Sequence, residues 1–146
     1  MTKNILVSAC LLGEACRYDG KSKPCEAVIA LQEKYSLIPI CPEVMGGLPT
    51  PRIPSEICGD RVLMKDGTNV TENYRRGAEE ALRIARENQC TVAILKEKSP
   101  SCGSGLIHNG RFDGGLTEGD GITAQLLKAN GIRVLGESEI SSLLED

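Results

Sequence analysis

The sequence predicts an α/β fold, a single domain with a mostly parallel, Rossmann-like sheet of about four strands, helices on both faces and a short β-hairpin. Short apolar runs without polar alternation recur along the chain, which is typical of strands buried on both faces of a parallel sheet. Segments with apolar residues at helical spacing separate these runs and indicate right-handed crossover connections. A length of 146 residues is that of one domain, so we expect residues 1–146 to form one unit.

The first half of the chain predicts a strand, a helix and a second strand. Residues 4–9 are mostly apolar without alternation, which predicts a buried strand. Residues 25–35 carry apolar side chains at helical spacing and predict a helix, and residues 36–41 predict the next strand. The segment 42–54 is rich in proline and glycine and is expected to be irregular.

A turn and a long helix are predicted in the middle of the chain. Asp66-Gly67 lies between two short apolar runs and predicts a hairpin over residues 61–70. Thr71 is the expected N-cap of a helix over residues 72–87, whose small and apolar side chains fall on one face. The rest of the chain predicts, in order, a strand over 91–95, a glycine-rich loop over 99–121, a helix over 123–129, a strand over 132–135 and a short helix over 139–144.

The charge and composition exclude several classes of partner. A net charge of −3 gives no broad basic surface for phosphates and the aromatic residues are few, so we expect no nucleic-acid partner. No apolar run is long enough to span a bilayer, and the N-terminus lacks the pattern of a signal peptide. We therefore expect a cytoplasmic monomer or small homo-oligomer without a membrane partner.

Seven cysteines are a high number for a cytoplasmic chain of this length. Thiols stay reduced in the cytoplasm, so metal ligation or thiol chemistry is expected rather than a disulfide framework. Cys10, Cys41 and Cys102 each lie where an apolar strand gives way to a loop rich in glycine or proline. Because the carboxyl ends of parallel strands meet at one edge of a sheet, we expect these three thiols to meet at a metal centre with an open position.

The spacing of these cysteines favours a catalytic centre over a structural one. Structural zinc sites usually draw their ligands from close Cys-x-x-Cys pairs, and the sequence has none. Soft thiolates favour zinc, copper(I) or iron–sulfur clusters. A cubane cluster held by three cysteines leaves one iron free to act as a Lewis acid and to bind a soft substrate atom.

The other cysteines have different interpretations, and each of the seven also suits the role of a small core hydrophobe. Cys90 leads into a predicted strand and is expected in the core, whereas Cys25 and Cys58 lack the context of a metal site. The role of Cys16 stays open: it is a fourth ligand, a reactive thiol beside Arg17 or a packing residue.

Two polar residues close to the predicted centre suit proton chemistry. Glu43 lies two residues after Cys41 and is either a general acid or base or a solvated loop carboxylate. Ser101 precedes Cys102 and either positions substrate or water or stabilises a turn. His108 is not expected to be a ligand. Three cations are expected at the same edge, as contacts for a polar or anionic substrate or as surface charges: Arg17, Arg52 and Lys96.

Several segments resemble domain-of-unknown-function family 523, and the resemblance covers nearly the whole chain. The matching segments are SACLLG at 8–13, CRYDG at 16–20, CPEVMGGLPTPR at 41–52, ILK at 94–96, SPSCG at 99–103 and GDGITA at 119–124. Members of that family include thiouracil desulfidases. The resemblance implies an oxygen-sensitive [4Fe–4S] cluster held at Cys10, Cys41 and Cys102, the same three cysteines that follow strands.

The resemblance also implies a reaction. The sulfur of a small thiolated substrate, a thiolated pyrimidine or a related thioamide, binds the open iron. Water then replaces the sulfur at carbon, the sulfide leaves on the cluster, and no net electron transfer is needed. Glu43 and Ser101 match the glutamate and the serine that assist proton movement. Two other hypotheses keep the cysteines: a three-cysteine zinc hydrolase with a bound water, and a small sulfur or metal carrier that binds a partner protein.

Overall fold

A computed structural model describes residues 3–144 of the chain. Its strands are β1 (Asn4–Ser8), β2 (Ser36–Ile40), β3 (Ser55–Cys58), β4 (Arg61–Met64), β5 (Val92–Leu95), β6 (Leu106–His108), β7 (Leu116–Glu118) and β8 (Arg133–Gly136). Its α-helices are α1 (Glu26–Ala30), α2 (Pro42–Met45), α3 (Thr71–Glu87), α4 (Ile122–Ala129) and α5 (Ser141–Leu144). No helix within residues 3–144 combines the length and apolarity needed to cross a membrane.

Four strands form a parallel sheet in the order β2-β1-β5-β8, which confirms the predicted fold class. Successive side chains of a strand point to opposite faces, so β1 buries Ile5 and Val7 on one face and Leu6 on the other. Side chains of α1 and α5 pack on the first face, including Val28 and Leu143. Side chains of α3 and α4 cover the second face, so the sheet has helices on both faces, as predicted.

The connections that follow β1 and β5 lead to opposite sides of the sheet. The chain leaves β1 for β2 on one side, whereas β5 and β8 lie on the other side. Loops that leave the carboxyl ends of β1 and β5 therefore run apart, and such a switch point opens a crevice at the sheet edge. The Ser8 hydroxyl accepts a hydrogen bond from the Lys96 N–H at 2.9 Å and ties these two strand ends together.

Two local predictions in the first half were wrong. Residues 42–54 were expected to be irregular, but Pro42–Met45 form α2, since proline is well suited to the first position of a helix. Thr71 is the first residue of α3 and not its N-cap, which is Val70. The Thr71 hydroxyl instead accepts a hydrogen bond from the Val62 N–H at 2.9 Å and donates one to Asn69 Oδ1 at 2.6 Å.

The hairpins differ from the predicted one. The chain reverses at Asp66-Gly67 as expected, and the Val70 N–H donates to the Val62 carbonyl at 2.9 Å. The main partner of β4 is β3, however, which lies before the predicted hairpin. A second hairpin, β6–β7, lies inside the segment expected to be a loop, because its strands are only three residues long and carry no clear alternation.

Two glycines allow α2 to approach α3 closely. A Cβ at Gly77 would overlap the Pro42 carbonyl oxygen, and one at Gly46 would overlap the Asn73 carbonyl oxygen. The Asn73 side chain donates a hydrogen bond to the Gly46 carbonyl at 2.9 Å across the same contact. The position of α2, and of Glu43 within it, therefore depends on the absence of a side chain at Gly77.

Gly77→Ala is expected to lower the free energy of unfolding by about 2–3 kcal/mol, because the new methyl group collides with backbone rather than with a mobile side chain. The usual effect of this change inside a helix has the opposite sign, since alanine is the better helix former. Urea unfolding measures the difference. Glu79→Ala, at an exposed position of the same helix, is the matched control, and an equal or stabilising effect of Gly77→Ala would contradict the packing argument.

Candidate functional site

A cavity of about 400 Å³ opens at the carboxyl edge of the sheet. Its walls come from the loops after β1, β2 and β5, from the β3–β4 hairpin, from α3 and from the segment around β6. The cavity therefore occupies the crevice that the switch point of the sheet creates.

The three cysteines that follow strands all line this cavity. Cys10 lies in a 3₁₀ turn directly after β1, Cys41 precedes α2, and Cys102 lies in the loop after β5. Cys10 and Cys102 are buried and Cys41 is half-buried. The predicted meeting of the three thiols at one edge thus has a defined place, and their role as ligands stays a prediction.

Cys16 is a fourth thiol at the same cavity. Its thiol shares hydrogen bonds with the thiols of Cys10 and Cys41. The Cys41 thiol also reaches the Cys16 carbonyl oxygen at 3.7 Å. Cys25, Cys58 and Cys90 do not line this cavity. Cys90 packs in the core beneath α3 and α4, as predicted.

Three of the cavity thiols, those of Cys16, Cys41 and Cys102, have a raised pKa and therefore hold their protons when no metal is bound. Burial raises the pKa of Cys102 to about 12, although hydrogen bonds from Ser101 and Ser8 lower it. The hydrogen bond with Cys10 raises the pKa of Cys16 to about 11, and the hydrogen bond with Cys16 raises the pKa of Cys41 well above its ordinary value. A metal that binds these sulfurs must displace their protons, which soft metals do readily.

The arrangement of the cavity cysteines differs from that of a site for a single metal ion. Within residues 3–144, no three His, Cys, Asp or Glu side chains are arranged to hold a metal ion. A cubane cluster distributes its thiolates over different iron atoms, so its ligands stand around the cluster instead of converging on one point. Cys10, Cys41 and Cys102, which reach the cavity from three loops, suit the second arrangement.

Glu43 and Ser101 form a continuous polar path to Cys102. The Ser101 hydroxyl lies 3.3 Å from Glu43 Oε2 and 3.5 Å from Cys102 Sγ, within hydrogen-bond distance of both. Ser101 is 1% exposed, so bulk water does not compete for these contacts. A carboxylate, a hydroxyl and a thiol in this order provide a route along which a proton moves without leaving the site.

Ser8 is a site residue that was not predicted from the sequence. Its hydroxyl donates to Cys102 Sγ at 3.5 Å and is itself fixed by the Lys96 N–H. A serine at the end of an otherwise apolar strand is the signal that could have identified it, because a buried hydroxyl needs a partner.

Arg52 fixes the Glu43 carboxylate. Its Nε donates to Glu43 Oε1 at 3.0 Å, and the Arg52 side chain is 3% exposed. The same guanidinium donates to the carbonyl oxygens of Cys16 and Pro49 and to the hydroxyl of Thr50, at 3.1, 3.1 and 3.2 Å. Arg52 therefore joins the Cys16 loop, α2 and the segment before β3.

The three cations expected at this edge all line the cavity, but each has a protein partner. Besides the pairing of Arg52 with Glu43, Lys96 lies 3.0 Å from Glu137 and Arg17 lies 3.8 Å from Asp19. Their charges are thus largely balanced within the protein, and two further cations, Lys65 and Lys98, also line the cavity.

Aromatic side chains also line the cavity. Tyr18, Tyr74 and Phe112 line the cavity with His108. Phe112 has a left-handed backbone with φ of +56°, and its N–H donates to the buried Glu56 Oε1 at 3.3 Å. Such strain in a bulky residue is found mainly at functional sites. Neither Phe112 nor Tyr74 was predicted from the sequence to have a role at the site.

The comparisons with known proteins agree over nearly the whole chain. The sequence profile of the 2-thiouracil desulfurase family matches residues 5–139. The uncharacterized protein YbbK of Bacillus subtilis (strain 168) is 43% identical over 150 residues, which cover 96% of this chain and 99% of that protein. The solved structure of the [4Fe–4S]-dependent thiouracil desulfidase TudS (DUF523Vcz) is 46% identical with a TM-score of 0.93, and the match covers 99% of this chain and 97% of that chain.

Arg52→Gln is expected to lower the free energy of unfolding by about 3 kcal/mol, because the half-enclosed Glu43 carboxylate loses its partner. Arg17→Gln is the matched control at the same cavity, and its partly exposed pair with Asp19, at the longer distance of 3.8 Å, should contribute less than about 1 kcal/mol. Chemical denaturation of both variants measures the two changes. Equal and small effects would contradict the role assigned to Arg52.

Proposed function

The chain belongs to the 2-thiouracil desulfurase family, and we propose that it removes sulfur from a thiolated pyrimidine or a related thioamide without redox chemistry, with the help of a [4Fe–4S] cluster. The observation that carries the proposal is the path from Glu43 through Ser101 to Cys102, which ends at a cavity lined by two further cysteines. Its structural neighbour TudS is a [4Fe–4S]-dependent thiouracil desulfidase, which supports the same cofactor and reaction here.

The residues present fit such a cluster. Cys10, Cys41 and Cys102 would hold it, since three soft sulfur donors from three loops line one cavity that is deep enough to bury two of them. When bound, the cluster supplies an iron without a protein ligand, which is a Lewis acid for a soft sulfur atom. Cys16 is left out of the proposed ligand set.

Glu43 is the proposed general base and acid. Its carboxylate takes a proton from the water that attacks the thiocarbonyl carbon, and the carbon–sulfur bond then breaks. The balance is that of a hydrolysis: thiocarbonyl and water give carbonyl and hydrogen sulfide, with no electrons gained or lost. Ser101 passes the proton between Glu43 and the region of Cys102, which its two contacts allow.

Arg52 acts on the reaction through Glu43. It occupies Oε1, so that Oε2 is the oxygen that faces Ser101. A fixed carboxylate needs little reorganisation during proton transfer, which is a general advantage of preorganised sites.

The cavity suits a small planar substrate. Its volume of about 400 Å³ is at the lower end of the range for small-molecule pockets. The rings of Tyr18 and Phe112 provide flat apolar surfaces for a heteroaromatic base.

The two rival hypotheses have less support. A zinc hydrolase would use the same cysteines, but both the family and the structural neighbour favour desulfuration with an iron–sulfur cluster. A carrier needs an accessible thiol for transfer to a partner protein, whereas Cys10 and Cys102 are buried and Glu43 lies close to Cys102. We place the enzyme in the cytoplasm, which agrees with its seven free cysteines.

Substitution of each proposed ligand tests the cluster. Cys10→Ser, Cys41→Ser and Cys102→Ser are each expected to lose most of the iron, the acid-labile sulfide and the visible absorption of protein purified without oxygen. Cys90→Ala is the control, because Cys90 lies in the core at the amino end of β5, away from the cavity. Full iron content in any of the three serine variants would remove that cysteine from the ligand set.

Substitution of the proton path tests the chemistry. Glu43→Gln and Ser101→Ala are expected to slow sulfide release from 2-thiouracil by about 10²–10⁴-fold and to retain iron, because they remove proton transfer and not a ligand. Ser104→Ala, in the same loop but outside the cavity, is the control. Unchanged kcat in both variants would contradict the proposed roles.

A further inference from the structure

The Tyr74 hydroxyl is a buried polar group that makes no hydrogen bond of regular geometry within residues 3–144, although Glu43 and Ser55 lie close enough to act on its pKa. Tyr74 is 1% exposed. Buried hydroxyls almost always have a partner, so one that faces a cavity indicates a ligand that completes its bonding. Tyr74 lines the same cavity as the cysteines, and none of the proposed catalytic steps uses it.

The position of this hydroxyl is fixed by packing. Tyr74 lies in the first turn of α3, and its ring packs in a small apolar cluster with Leu48, Val62 and Val70. The ring therefore has no room to turn its hydroxyl towards solvent. A hydrogen-bond donor that is held in place favours ligands that carry an acceptor atom at the matching position.

The hydroxyl lies beside the proposed catalytic group and belongs to a different element from the cysteines. The polar groups that act on it are Glu43, Ser55 and Arg52. Burial raises the pKa of Tyr74, so the phenol stays protonated and is a donor at physiological pH. It belongs to α3 with Ser55 of β3 as its neighbour, whereas the cysteines come from the loops after β1, β2 and β5.

We propose that the Tyr74 hydroxyl donates a hydrogen bond to a ring carbonyl oxygen of the substrate and thereby selects thiolated pyrimidines that carry a carbonyl in addition to the thiocarbonyl. This inference rests on the proposed function, since it assumes that the thiocarbonyl sulfur points towards the cysteines. A base of this class spans the cavity with its sulfur at one end and a carbonyl oxygen at another position of the ring. Oxygen is the stronger acceptor of the two, so a phenol donor suits the carbonyl.

Two substrates that differ only in that carbonyl test the proposal. 2-Thiouracil and pyrimidine-2-thione share the N–C=S group, but only the first has a ring carbonyl. With cluster-loaded enzyme, Tyr74→Phe is expected to lower kcat/KM for 2-thiouracil about tenfold and to leave that for pyrimidine-2-thione nearly unchanged. Phenylalanine keeps the ring and its packing, and the visible absorption of the cluster checks that the site is intact.

Tyr35→Phe is the matched control. Tyr35 is also buried, but its hydroxyl donates to the Leu143 carbonyl at 3.1 Å on the opposite face of the sheet. This variant is expected to treat both substrates as the wild type does. Equal losses on both substrates in Tyr74→Phe would overturn the proposal, because Tyr74 would then act on Glu43 and not on the carbonyl.

Binding of uracil, which contains no sulfur, provides a readout independent of the reaction. Calorimetry is expected to give a Kd about tenfold higher for Tyr74→Phe than for the wild type and for Tyr35→Phe. An unchanged Kd overturns the proposal even where pyrimidine-2-thione is not a substrate. Failure of the proposed function is distinguishable from failure of this inference. In the first case the wild-type enzyme with a full cluster would release no sulfide from 2-thiouracil.

Discussion

The site depends on the parallel pairing of β1 with β2 and β5. This pairing places the carboxyl ends of the three strands at one edge, and with them Cys10, Cys41 and Cys102, which are far apart in the sequence. No short motif could bring these thiols together, since each belongs to a different loop. Because the chain leaves β1 and β5 in opposite directions, the same edge also opens as a cavity and is not covered by its own connections.

Further contacts position the proposed catalytic residues at this edge of the sheet. The contact of α2 with Gly77 of α3 places Glu43 over the cavity, and Arg52 then fixes one oxygen of its carboxylate. Ser101 connects the other oxygen with Cys102. Each of these contacts lies in a buried or half-buried region where polar groups must be paired, so the fold and the proton path constrain each other. A change in the packing of α2 therefore acts on the chemistry as well as on stability.

Much of this arrangement was predictable from the sequence, because it follows from strand order and from the residues at strand ends. The sheet, the helices on both faces and the common edge for Cys10, Cys41 and Cys102 were predicted, and the family resemblance is confirmed. Short elements such as α2 and β6 were missed, since a few residues carry too little periodicity to reveal them. The roles of Arg52 and Tyr74 were also not predictable, because they depend on partners from distant segments. The cysteine spacing alone did not distinguish a zinc ion from an iron–sulfur cluster.

The central claim is that the cavity replaces sulfur by an oxygen from water without electron transfer. The most direct test incubates cluster-loaded enzyme with 2-thiouracil in ¹⁸O-labelled water, without oxygen and without a reductant, and analyses the pyrimidine product by mass spectrometry. The account predicts one ¹⁸O atom per uracil formed, an equal amount of sulfide, and no product from cluster-free enzyme. Sulfide release that requires an electron donor, or uracil without the label, would contradict it.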